Sequence, residues 1–144
     1  MKYTIYNADT GQILGTVAAS SEDLLQANAT GAAWIEGDYS GRTHYIINQQ
    51  AQLLPDSPDT LHVWHQFDYD TATWQVDLVR SEQISRQERN TRLAAVDRVN
   101  TVWYASLAAD QQTELAQYRQ ALLAVPQQAH FPADVVWPAK PTWL

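Results

Sequence analysis

At 144 residues with no cysteine, the chain has the length of one domain or two small modules and excludes a disulfide framework, a thiolate nucleophile and a cysteine-ligated metal. Its net charge of −7 is unevenly divided: residues 1–79 carry two basic against ten acidic side chains, residues 80–144 seven against six. An acidic half repels phosphate and argues against nucleic acid as a partner, and no run approaches the 18 apolar residues of a membrane helix.

In chain order, Lys2 to Tyr6 alternates like a strand. Asn7-Ala8-Asp9-Thr10-Gly11 is a turn in which Gly11 is free to take positive φ, and Gln12 to Val17 returns as a second strand. Ser20-Ser21-Glu22-Asp23 opens a short helix. Ala33–Asp38 and Thr43–Asn48 are strands around Tyr39-Ser40-Gly41-Arg42, and Ala51–Leu54 adds a last short one. Residues 1–54 thus make a small antiparallel β module. The opening Met1-Lys2-Tyr3-Thr4 lacks the apolar core of a signal peptide, so a soluble chain not exported by a cleavable signal is expected.

Residues 55–59, Pro55-Asp56-Ser57-Pro58-Asp59, read as a stiff linker. Residues 60–80 form a β-hairpin, with Leu61–Tyr69 and Trp74–Val79 paired about Asp70-Thr71-Ala72-Thr73. Trp64, Phe67, Tyr69, Trp74 and Val76 give it an aromatic surface. A lone hairpin is marginal in water, so it must pack on the first module, on the helices or on a partner.

Residues 81–144 form a helical hairpin with a proline-rich arm. Ser81 to Leu107 reads as one long helix, solvated in its polar first turns and packed later through Ala95, Val96, Val99, Val102 and Trp103. Asp110 and Glu114 suit the positive end of the next helix. Leu115, Tyr118, Leu122 and Val125 fall on one stripe of it, and Pro126 cannot continue it. The two helices form an αα-hairpin. Beyond it, each X-Pro step disfavours the α conformation. Asp134 to Pro141 is therefore expected to run extended, anchored by Phe131 and Trp137 on the chain's own helices or in part on a partner. The fold class is α+β.

No catalytic constellation is present: there is no nucleophile elbow, phosphate loop or H-E-x-x-H. His62 and His65, three apart in a strand, point to opposite faces. Glu36 and Asp38 share a strand face but flank Gly37, and read as a solvated pair. Arg119 has Glu114, Asp110 or a partner carboxylate as candidate acceptors. No catalytic residue, metal or cofactor is expected.

Arg89-Asn90, Leu93, Asp97, Tyr118-Arg119-Gln120-Ala121-Leu122, Phe131-Pro132 and Val136-Trp137-Pro138 resemble the phage tail assembly chaperone-like family over residues 82–141. The family usually has Trp after the Asp, where this chain has Arg98, and Ala108 stands where a Ser or Thr cap is expected. More loosely, Trp34-Ile35-Glu36-Gly37 with His44-Tyr45-Ile46 resembles a β module that precedes such segments. The resemblance implies a non-enzymatic phage tail accessory protein. It would bind a tail or tail-fibre protein during assembly, in the host cytoplasm, with no nucleic acid or membrane as partner. Two alternatives stay open: a structural part of the finished tail, baseplate or fibre, present in the virion, and a sugar- or receptor-recognition module using Trp64 and Trp74. Oligomeric state is undetermined. Six Trp and seven Tyr against two Phe suit interfaces as well as small cores. Hot spots favour Trp, Tyr and Arg, so Trp103, Tyr104, Arg119, Phe131, Trp137 and Trp143 are candidate contacts. Tyr104, Arg119 and Trp143 are expected to be the more exposed of them.

Overall fold

Strand β1 (Lys2–Tyr6) is the centre of a three-stranded antiparallel sheet, flanked by β2 (Ile13–Ala18) and β3 (Ala33–Glu36), in a computed structural model that describes all 144 residues. Being central, β1 buries a polar residue, Thr4, and satisfies it fully. The Thr4 hydroxyl donates to the Gly37 carbonyl at 3.0 Å and accepts from the Tyr39 amide at 2.9 Å. Between β2 and β3 lies helix α1 (Glu22–Ala29), capped by Ser21. Strands β4 (His44–Ile47) and β5 (Gln50–Leu53) form a separate hairpin across Asn48 and Gln49, both at positive φ, the backbone that matches strand twist in a two-residue loop. Gly11 sits at φ 76, and an added Cβ would come within 1.9 Å of the Ile46 carbonyl oxygen. That close approach lets the Gly11 carbonyl accept from the Ile46 amide at 2.8 Å. Tyr6, Ile13 and Ile46 form the local core, with Ile35, Tyr39 and Ala51 against it.

The contacts divide the chain into two units: Met1–Ser57 with Phe67–Gln75, and Pro58–Gln66 with Val76–Leu144. Strands β6 (His65–Asp68) and β7 (Thr73–Val76) pair with each other and are shorter than the sequence pattern suggests. Their aromatics do not form an outward surface. Phe67 is buried, with the rings of Tyr45, Tyr69 and Trp74 each 5.2–5.3 Å away. The Trp74 indole N–H donates to the Pro55 carbonyl at 3.0 Å. Asp68 holds the turn, its carboxylate accepting from the Asp70 and Thr71 amides; those bonds keep its pKa below the ordinary aspartate value.

In the second unit, helix α2 (Leu78–Asp97) starts earlier than expected, because Asp77 caps it by accepting from the Arg80 amide at 2.9 Å. Its first turns are not solvated all round: one face is buried while Leu78, Val79, Arg80 and Gln83 stay exposed. Ser81 and Ser85 are fully buried, and the Ser81 hydroxyl accepts from the Trp64 amide at 2.9 Å and donates to the Trp64 carbonyl at 3.3 Å. The small hydroxyl side chain of Ser81 lets Trp64 approach that face. The predicted long helix is also broken. It stops at Asp97, and a separate short helix α3 (Thr101–Ser106) begins after Asn100, whose side chain accepts from the Val102 and Trp103 amides. An Asn that bonds the following amides offers the chain a fresh helix start in place of continuation. Helix α4 (Ala109–Ala124) then pairs with α2 and passes into a 3₁₀ turn, Val125–Gln127. Val96, Leu115, Tyr118 and Leu122 form the core between them, with Leu93, Val99, Trp143 and Leu144 against it. Residues 135–141 carry no regular secondary structure. The Gln128 side chain ties this stretch down, bonding the amide and carbonyl of Val136.

Candidate partner-binding face

Helix α3 has no buried residue. Three consecutive large apolar side chains stand on it, Val102 at 78%, Trp103 at 39% and Tyr104 at 38% exposure. Val102 is therefore not part of the packed stripe that its spacing suggests. A six-residue helix cannot turn three successive residues to one face, and the Gln112 amide, donating to the Tyr104 and Leu107 carbonyls at 3.2 Å, ties this one to α4.

Beside α3 opens a cleft of about 260 Å³, lined by Val96, Val99, Tyr104, Leu115, Ala116 and the Asp97–Arg119 pair. Its floor is apolar because Val96 and Leu115 reach it from the α2–α4 core. Its charged edge comes from Arg119, whose Nε–H donates to the Asp97 carboxylate at 2.8 Å. The sequence left Glu114, Asp110 or a partner as its acceptor; the hairpin geometry gives it Asp97, from the other helix and 22 residues away. The hydrogen bond and then the charge of Asp97 raise the Arg119 pKa above the ordinary arginine value. Glu114 instead accepts from the Trp143 indole N–H.

The structure brings some of the candidate contacts together. Tyr104 and Arg119 line the same cleft. Trp143 lies against Trp103, ring centroids 6.3 Å apart, and packs on the α2–α4 core. Phe131 and Trp137 lie elsewhere in the unit, under the guanidinium groups of Arg86 at 5.7 Å and Arg92 at 4.5 Å. Trp137 also meets the His62 ring at 5.1 Å. The exposure of Val102 and the apolar cleft floor were not read from the sequence. The signal was Asn100, a strong helix-cap residue in a stretch taken as uninterrupted.

His62 is not in a strand, and His65 is held by Asp59, which accepts from its amide at 2.6 Å and lies 3.1 Å from its Nδ1. No three His, Asp or Glu side chains converge in a metal-binding arrangement. Of the two tryptophans considered for sugar recognition, Trp64 carries the Arg80 guanidinium 3.6 Å over its ring and Trp74 packs edge-on against Phe67. No helix is long and apolar enough to cross a membrane.

Residues 82–142 match the family model described as phage tail assembly chaperone protein. The match covers less than half of the chain, and it falls on the segment whose residues suggested that family. It contains α3, α4, the cleft and the irregular stretch that follows. No curated protein and no solved structure matches the chain.

Proposed function

We propose that this protein acts in phage tail assembly by stoichiometric binding, holding a tail or tail-fibre subunit against α3 and the adjoining cleft until that subunit is incorporated. The observation that carries this reading is α3 itself: Val102, Trp103 and Tyr104 are all exposed on it, and Tyr104 lines the adjoining apolar cleft. Water-facing apolar clusters of this kind mark interaction surfaces, and aromatic residues beside a pocket are the usual anchors of binding energy. The similarity of residues 82–142 to tail assembly chaperones supports the tail as the setting, and the host cytoplasm during assembly as the place.

Co-expression with individual tail and tail-fibre proteins, followed by affinity capture, tests the reading. The full-length chain is expected to retain one of them. The double variant Val102→Asp, Trp103→Ala is expected to lose it while keeping a cooperative melt, lowered by no more than the loss of the Trp103–Trp143 ring contact, since α3 contributes no buried residue. Capture that survives the double variant removes α3 from the interface. Mass spectrometry of purified virions then separates an assembly factor, absent from the particle, from a structural tail component, present in it.

A further inference from the structure

We propose that the partner segment seated in the α2–α3–α4 cleft presents an apolar side chain next to a carboxylate, and that Arg119 receives this carboxylate in place of Asp97. The inference rests on the reading above, that the cleft holds a protein. The floor, Val96, Val99, Leu115 and Ala116, asks for an apolar occupant. The edge asks for an anion, because its cation is under-used. A guanidinium offers five N–H donors in a planar fork, and Arg119 spends only Nε, on Asp97. The other nearby acidic groups are engaged elsewhere: Glu114 accepts from Trp143, and Asp110 from the Gln111 amide at 3.0 Å.

Asp97 is a weak holder of Arg119. The two side chains are 47% and 49% exposed, joined by a single bond, and exposed pairs of this kind contribute little to stability. A partner carboxylate can take the terminal N–H groups as a bidentate pair. Covering the cleft also removes the water that screens that pair. Asp97 then acts as a stand-in anion that keeps Arg119 at the edge while the cleft is open.

The test titrates the full-length chain, followed by ¹H–¹⁵N NMR, with a short amphipathic helical peptide that has Leu and Glu one turn apart, and with the same peptide carrying Gln or Lys in place of Glu. The Glu peptide is expected to shift the Arg119 side-chain Nε–H and the Leu115 and Ala116 amides, and to bind about tenfold or more tighter than the other two. Arg119→Gln should erase that preference, Arg119→Lys should keep part of it, and Asp97→Asn should tighten binding of the Glu peptide. The opposite signs for Arg119→Gln and Asp97→Asn separate a receiver from a structural ion pair, which would be weakened alike by both. Equal affinity for the three peptides, no shift at the cleft, or weaker binding in Asp97→Asn overturns the assignment. If α3 variants abolish capture of a tail protein while the peptides show no preference, the docking face stands and the carboxylate does not. If α3 variants leave capture intact, the docking face itself fails.

Discussion

Leu122 and Trp137 mark the two kinds of burial in the second unit. Leu122 is 0% exposed at the centre of the α2–α4 core, on the stripe its spacing predicted. Trp137 is half-buried, with the Arg92 guanidinium and the His62 ring against it. Leu122→Ala is expected to cost about 2–5 kcal/mol, the transfer term plus a cavity that close-packed neighbours fill poorly. Trp137→Ala should cost less despite the larger side chain, because part of the ring already faces water and a guanidinium and an imidazole, rather than close-packed apolar groups, lie against it. Urea unfolding of both variants gives the order directly; a larger loss for Trp137→Ala would place the 135–141 stretch in the core. At this scale the sequence was informative about apolar stripes and poor about pairing. Arg119 finds Asp97 only because two helices lie side by side.

Among the elements, α4 shows a local rule broken and half repaired. Its N-cap is Ala108, which has no oxygen to accept from the first turn, while Gln111 reaches back and accepts from the Ala108 amide at 3.0 Å. That is one half of a capping box. Ala108→Ser supplies the other half and is expected to stabilise the protein by about 1 kcal/mol, read as a raised urea midpoint with an unchanged slope. A neutral or negative result would mean that the Ser hydroxyl does not reach the open amides of the first turn. Nearby, α3 is separated from α2 by Arg98, Val99 and Asn100. The sequence pattern passes through this break because Val96, Val99, Val102 and Trp103 keep a helical period across it. The cap at Asn100 overrides a periodicity that has no core to serve beyond Val99.

For the whole chain, we propose that the first unit folds independently only when it includes the tip of the β6–β7 hairpin. A fragment of residues 1–54 would lack Phe67, which is buried against Tyr45, and Trp74, which bonds the Pro55 carbonyl. Truncating a buried Phe costs about 3–5 kcal/mol, and each kcal/mol shifts the melting temperature of a 60–100-residue unit by roughly 4–8 °C. Residues 1–76 are therefore expected to melt roughly 10 °C or more above residues 1–54, compared by circular dichroism. Equal melting temperatures would return the boundary to the proline-rich linker at residues 55–59 and leave the hairpin outside the first unit.

Period-two alternation was enough to place β1 to the residue, and the glycine at position 11 to mark its turn. The Leu115–Tyr118–Leu122–Val125 stripe was enough to place the buried face of α4. These are local signals: each depends on the backbone geometry of a few neighbouring residues. The motif residues between Arg89 and Pro138 likewise carried the family likeness, because a likeness of that kind is itself a property of the linear sequence. What the tertiary structure alone decided is which polar and aromatic groups met. Ser81 is buried because Trp64 lies over it, Phe67 is enclosed because Tyr45 reaches it, and Asp97 rather than Glu114 holds Arg119. Each of these depends on residues distant in sequence, whose meeting is set by packing, and a polar side chain is equally at home in water or against a partner until the fold supplies one.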